Sequence, residues 1–263
     1  IAMNSITFLG TGGGRFVLLS QRRYSGGLWL HLESTIILDP GPGALIRALQ
    51  FKKDPKKLDA ILVSHRHLDH YNDAELMVEV MTYGMKKDRG YLVINKDALG
   101  YISDYHKKSV RLIIPNAGEK FRINDLEILA IPTYRHEDGI GFKFFSKRGT
   151  ITYTSDTGYS EELLDYYRDS RILILNTIFP ASKEIETHLN TKTATMIVKE
   201  VKPELAIIQH FGMSMLNASP EREAKWMENE TGVRTIAARD GMTIDLKNLM
   251  ESKEEGQLKL DEF

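Results

Sequence analysis

Ile61-Leu62-Val63-Ser64-His65-Arg66-His67-Leu68-Asp69-His70 decides the reading of this chain. Its apolar, β-branched start predicts a buried strand, and four potential metal ligands follow at once: His65, His67, Asp69 and His70. Histidines at alternate positions of an extended segment project both imidazoles to the same side. Asp69 and His70 then lead into an expected helix from Asp73 to Tyr83, which turns a carboxylate and a third imidazole back toward the first pair. Imidazole together with carboxylate suits zinc and neighbouring first-row divalent ions. The plain alternative is a solvated, charged loop after a strand. With 8 His in 263 residues, three at fixed positions would be a coincidence of roughly 3 in 100,000 per window, so the metal reading is preferred.

The motif His-x-His-x-Asp-His after an apolar strand resembles the signature of the metallo-β-lactamase-fold hydrolases. That resemblance implies an α+β fold, a four-layer αββα sandwich. Composition alone does not give the sandwich, although antiparallel runs alternating with helices agree with two β-rich halves covered by helices. The family pattern also implies a full ligand set. His65, His67 and His136 resemble the ligands of a first ion; Asp69, His70 and His210 resemble those of a second, with Asp156 bridging both. His136, Asp156 and His210 each stand at the end of an apolar strand, where rigid elements aim side chains toward a common edge. Two divalent ions are expected as cofactors, zinc first, with manganese or iron as the alternatives. Such a pair, roughly 3.5 to 4 Å apart, shares a bridging hydroxide that acts as nucleophile, and Asp69 is expected to accept its hydrogen bond. No redox cofactor is implied, because a flavin-linked di-iron relative carries an acid where this chain has His67.

His188, in Glu186-Thr187-His188-Leu189-Asn190-Thr191, resembles the histidine of the tRNA 3′-processing endonucleases and related phosphodiesterases that helps protonate the leaving oxygen. A protonated imidazole there would serve as general acid; the alternative is a helix-capping loop residue. Arg15, Arg22 and Arg23, read as a loop after the first strand, are candidates for meeting non-bridging phosphate oxygens, against a merely solvated basic loop. Asp39 is a candidate for holding a ligand imidazole or the glycine loop from behind, against a turn-forming Asp before Pro40. The two remaining histidines, His31 and His106, read as structural or surface residues. The expected function is a binuclear metal-dependent phosphodiesterase acting on a small or single-stranded phosphodiester. The alternatives are a lactonase or other carboxylic-ester hydrolase of the same fold, and a non-catalytic metal-dependent sensor. The chain departs from the tRNA-processing enzymes in one respect: they insert a long flexible arm between the counterparts of His136 and Asp156, where only a hairpin fits here. That argues against tRNA as substrate.

Composition bounds the rest. A formal net charge of −1 and a pI near 6.8 give no bulk field of the kind that coats nucleic acid. Cys 0 excludes disulfides and thiolate ligands. No apolar run approaches the roughly 20 residues of a membrane helix, so a cytoplasmic enzyme without membrane contact is expected. Gly10-Thr11-Gly12-Gly13-Gly14 lacks the ending of a phosphate-cradling P-loop and reads as a turn that lets backbone approach something closely. A helix is expected from about Lys96 to Lys107, another from Thr191 to Val201, and a third from Pro220 to Thr231, capped by Ser219 and ended by Gly232. Residues 1–246 read as one hydrolase domain and 247–263 as a charged tail. Within that tail Gln257, Leu260 and Phe263 resemble the peptide that DNA sliding clamps bind. The alternative is docking on the enzyme itself or on a second subunit of a homodimer.

Overall fold

In the segment Ala60–Val63 every side chain is buried, but the four face two different cores. Ala60 and Leu62 join one apolar cluster, Ile61 and Val63 another. A strand that is apolar on both faces needs cover on both, and this requirement sets the layering. The computed structural model describes residues 4–136 and 139–253.

The strands are β1 Ser5–Phe8, β2 Leu28–His31, β3 Thr35–Leu38, β4 Ala60–Val63, β5 Tyr91–Ile94, β6 Arg111–Ile113, β7 Lys120–Ile123, β8 Leu126–Pro132, β9 Ile140–Ser146, β10 Gly149–Tyr153, β11 Ile172–Phe179, β12 Leu189–Asn190, β13 Leu205–Gln209, β14 Thr235–Ala237, β15 Met242–Asp245 and β16 Met250–Lys253. They form two mixed sheets, ordered β16-β15-β1-β2-β3-β4-β5-β6 and β14-β13-β11-β10-β9-β8-β7, with β12 paired to β11. Between the sheets lies the central core, which includes Phe8, Leu30 and Leu62 from one side and Phe142, Phe144 and Ile174 from the other. Helices Ala44–Gln50 and Ala74–Met81 cover the outside of the first sheet. Helices Thr191–Val201 and Pro220–Thr231 cover the outside of the second. The result is the expected four-layer αββα sandwich.

The register makes β1, β3 and β4 run one way in the first sheet, and β8, β10, β11 and β13 one way in the second. Their C-terminal ends meet where Ile140 N–H donates to the Ser64 carbonyl at 3.0 Å. Every loop that carries a candidate ligand leaves from this edge.

Several local expectations change. The loop read around Arg15 is instead a helix, Arg15–Ser20, which starts directly after Gly14. Asp69 and His70 lie on a separate turn, Leu68–Tyr71, before the helix Ala74–Met81. The helix expected from Lys96 to Lys107 is two pieces, Lys96–Leu99 and Asp104–Lys107, because Ser103 accepts from His106 N–H and restarts the helix. Residues 250–253, within the stretch read as tail, form a strand paired with β15. Gln257, Leu260 and Phe263 lie outside the described residues. The helix from Pro220 to Thr231 has its expected Ser219 cap and its left-handed Gly232, φ 69°. Among the described residues no helix is long and apolar enough to cross a membrane.

Leu62 is fully buried between the sheets, whereas Leu19 is 75% exposed. In urea unfolding, Leu62→Ala is expected to cost about 2–5 kcal/mol through the cavity it leaves. Leu19→Ala should stay within about 0.5 kcal/mol.

Candidate metal centre

The candidate ligands lie on loops that leave the ends of strands. β4 runs out into Ser64, His65 and His67; β8 into His136; β10 into Asp156; β13 into His210. Their donor atoms form two groups, His65, His67, His136 and Asp156, and Asp69, His70 and His210, with the atoms of each group within 4.8 Å of one another. Asp156 faces both. Its Oδ2 lies 3.9 Å from His65 Nε2 and 3.9 Å from His136 Nε2, and 3.5 Å from His70 Nε2, while its Oδ1 lies 3.3 Å from His210 Nδ1. All seven predicted ligands therefore converge on one small region.

A cation fits this donor set on observations of the protein alone. His136 Nε2 and His210 Nδ1 are buried without a hydrogen-bond partner, an arrangement that costs free energy unless something else takes the lone pair. Two pairs of imidazole nitrogens, His65 Nε2 with His67 Nδ1 and His70 Nε2 with His210 Nε2, face each other at 3.1 Å. Burial lowers the His136 pKa to about 4, so its lone pair is available at neutral pH. Burial also opposes ionisation of Asp69, but the neighbouring His70 and His210 outweigh it and hold that carboxyl well below its usual range. The donors are nitrogen and carboxylate oxygen, which suits first-row divalent ions.

Asp39 sets the proton positions behind these ligands. The φ of Asp39 is 53°, and its buried carboxylate accepts from Ser64 N–H and Ser64 Oγ–H, both at 2.7 Å, and from Tyr153 O–H at 2.7 Å. His70 Nδ1 lies 2.7 Å from the same Oδ2, which places a proton on Nδ1 and turns Nε2 toward His210 and Asp156. Because the Ser64 hydroxyl spends its one proton on Asp39, it can only accept from His65 Nδ1 at 2.9 Å. That leaves His65 Nε2 bare, in keeping with the lowering of its pKa by burial. Asp39 thus orients one ligand imidazole in each group.

The remaining expectations sort as follows. His188 belongs with the site: its Nε2 is 3.7 Å from Asp156 Oδ2 and its ring packs edge-on against His136. It does not cap the following helix, since Asn190 does so with Thr193 in a reciprocal pair. The glycine run approaches backbone to ligand as read. A Cβ on Gly13 would collide with the His210 ring, Gly14 N–H donates to Asp69 Oδ2 at 3.2 Å, and Gly13 N–H donates to Phe211 O at 3.0 Å. Arg15 is exposed just past this loop. Arg22 and Arg23 point elsewhere: Arg22 Nη1 reaches Met213 Sδ and Asn217 Oδ1, and Arg23 pairs with Glu221 and donates to Thr11. His106 is held by Glu75 and Glu79, a structural role. His31 sits half-buried at the end of β2.

Four supporting residues, Tyr153, Asn176, Gln209 and Asp240, escaped the sequence reading. Asn176 Nδ2 donates to Asp156 Oδ1 at 2.7 Å and to Tyr153 Oη at 3.1 Å, and Gln209 Nε2 donates to Asn176 Oδ1. Asp240 accepts from Thr11 and Tyr24 N–H groups and so pins the glycine loop. Asn176 did leave a signal, as an amide inside the apolar run Ile172–Phe179. Tyr153 and Asp240 left none.

The model of the beta-lactamase superfamily domain matches residues 34–211. An uncharacterized protein of Methanocaldococcus jannaschii is 36% identical over 92% of this chain and 95% of its own length. A metal-dependent hydrolase of Staphylothermus marinus is 25% identical over 81% and 89%. A ribonuclease Z of Thermococcus sibiricus is 29% identical over 57% of this chain and 51% of its own. Among solved structures, the metallo-beta-lactamase fold protein YhfI from Bacillus subtilis aligns with a TM-score of 0.77 at 17% identity, over 96% of this chain and all of that one. The short form of human tRNase Z aligns at 0.72 and 14%, over 92% and 99%. A diphosphatase of the PhnP family aligns at 0.70 and 18%, over 96% and 98%.

Replacing Asp39 by Ala removes the acceptor that orients His70 and, through Ser64, His65. In a competition with a chromogenic chelator, Asp39→Ala should lose about 10–100-fold in metal affinity, while far-ultraviolet circular dichroism stays native.

Proposed function

Because the chain belongs to the metallo-β-lactamase superfamily of metal-dependent hydrolases, we propose that it is a binuclear phosphodiesterase. The observation that carries this reading is the convergence of His188 on the same carboxylate, Asp156, that faces both ligand groups. His65, His67 and His136 would hold one ion, Asp69, His70 and His210 a second, with Asp156 shared, and the nitrogen-and-carboxylate set favours zinc. Bound there, divalent ions supply water acidified toward neutral pH and positive charge for the phosphoryl oxygens.

The chain's own residues do the remainder. The Asp69 carboxylate, almost buried and fixed by Gly14 N–H, would accept a hydrogen bond from the attacking water and orient its lone pair toward phosphorus. His188 lies near Asp156 Oδ2, whereas His210 lies near Oδ1, and His188 lines a cleft of about 590 Å³ together with Tyr134, Tyr159, Ile185, Asn190 and Met196 among others. Burial lowers the His188 pKa against the opposing pull of Asp156; when protonated, its imidazole would deliver a proton to the leaving oxygen, which would otherwise depart as a poor alkoxide. Thr187 Oγ1, 2.9 Å from His188 Nδ1, holds the ring with Nε2 directed inward. The ribonuclease Z relative supports a phosphoryl rather than a carbonyl substrate.

A panel of chromogenic phosphodiesters, cyclic nucleotides, lactones and thioesters, assayed with zinc and with manganese, tests the reading. Phosphodiester turnover is expected; turnover of lactones alone would overturn it, and a well-metallated protein inert toward every class would favour a sensor. Elemental analysis should give two zinc ions per chain. His188→Ala should cut phosphodiester turnover by about 10²–10⁴-fold with metal content unchanged, whereas a residue of merely local structural importance would change neither.

A further inference from the structure

The cleft beside His188 carries two cations and two carboxylates on its rim, Arg135, Lys192, Glu184 and Glu186. They are paired one to one. Arg135 Nη1 meets Glu186 Oε2, and Lys192 Nζ meets Glu184 Oε1 at 3.0 Å. All four side chains are more than half exposed, from 51% to 76%, so water screens both attractions and neither pair is held firmly. Both carboxylates come from the loop that carries His188, and both cations come from elements that do not move with it: Arg135 directly precedes His136, and Lys192 lies in the first turn of the capped helix Thr191–Val201.

The backbone under this rim is fixed. Gly158 N–H donates to the Tyr134 carbonyl at 2.7 Å, and a Cβ at Gly158 would collide with the Glu186 carbonyl. Asn190 Nδ2 holds the Lys183 carbonyl at 2.8 Å. Exchange of partners at the rim therefore needs rotation of the Glu side chains and no opening of the loop. The rest of the lining is aromatic and soft, with half-buried Tyr134 and Tyr159 and exposed Met196 and Ile185. Arg135 Nε also donates to Tyr134 Oη at 3.1 Å, its guanidinium 5.4 Å from that ring's centre, so Tyr159 is the ring left open. Ring surface for stacking, with an anion-binding guanidinium in the same cleft, matches a nucleotide.

We propose that the leaving portion of the substrate is a nucleotide carrying its own phosphate, and that Arg135 selects it by exchanging Glu186 for that phosphate. This rests on the phosphodiesterase reading above and names the substrate class for the same site. Lys192 offers a second cation by the same exchange with Glu184. Glu186 then acts as a placeholder that keeps Arg135 extended across the cleft until an anion arrives.

The sign of the Glu186 effect separates this from a loop staple. The metal-loaded protein is assayed on uridylyl-uridine with and without a terminal phosphate. Wild type should show the lower KM for the phosphorylated dinucleotide. Arg135→Ala should raise that KM about tenfold more than the KM of the unphosphorylated one, the size expected for one charge-assisted hydrogen bond. Glu186→Gln should lower it by about threefold, with kcat little changed. If both variants instead lower kcat on both substrates, the pair only braces the His188 loop and the proposal is wrong. A binding readout is kept apart from turnover: uridine monophosphate is titrated calorimetrically into chelator-treated protein. Arg135→Ala should weaken that binding and Glu186→Gln should tighten it; equal affinities in all three proteins overturn the assignment. Failure of wild type to cleave any phosphodiester would sink the phosphodiesterase reading, and the titration would still judge Arg135.

Discussion

A single buried carboxylate ties the two halves of this molecule together at the site. Asp39 leaves β3 of the first sheet, and its Oδ2 receives Tyr153 O–H from β10 of the second. The same oxygen takes Ser64 Oγ–H and lies against His70 Nδ1. Tyr153 Oη accepts in turn from Asn176, which also holds Asp156 and is itself held by Gln209. A continuous chain of hydrogen bonds thus runs from the end of β13 across β11 and β10 to β3 and the loop after β4. In an interior of low dielectric such a network is rigid when every member is satisfied and costly when one is missing. Here every member of the chain has a partner, and the buried atoms near it that lack one are His136 Nε2, His210 Nδ1 and Ser155 Oγ.

Holding side chains in that geometry requires unusual backbone. Asp39, Arg135, Ser155 and His210 all have positive φ, between 52° and 64°, and each lies beside or between ligands at a strand end. Residues other than glycine enter that region at a cost of about 1–3 kcal/mol each. The sheets supply the compensation, since the strands that precede these residues are almost wholly buried. The two-sided burial of β4 and the strain at the loops are one design: stiff strands fix where the loops begin, and the Asp39 network fixes where they end.

This also explains what could be read in the sequence. His65, His67, Asp69 and His70 were legible because their spacing is local, set by one strand end and one turn. His136, Asp156 and His210 were legible only in company, as polar residues after apolar runs that an opening motif had already made suspect. The layered fold followed from the same resemblance, and the double-faced burial of β4 agrees with it. Tyr153 could not be recognised, because a tyrosine ending a strand looks like core until its hydroxyl is seen against Asp39. Arg22 and Arg23 were offered to the substrate on nearness in sequence to the glycine loop. The helix Arg15–Ser20 intervenes, and it turns them toward Met213, Asn217 and Glu221. Nearness along the chain predicts contact only while the backbone stays extended, and six helical residues were enough to undo it.

The two sides of the site consequently differ in stiffness. On the side of the ligands, most side chains are buried, and Asp39 and Ser64 orient His70 and His65. On the side of the cleft, charges are exposed, paired weakly and free to rotate, while the backbone beneath them is clamped at Gly158. Substitution at Arg135, Glu184, Glu186 or Lys192 touches none of the hydrogen bonds that orient the ligands. Substitution at Asp39, Asn176 or Gln209 breaks a link in the chain that orients them. Under the proposed function, chemistry and selectivity would fall to residues that do not share partners, and energetic effects at sites without shared partners tend to add. A chain built this way can change what it accepts at the cleft rim without disturbing how it holds the atoms that react.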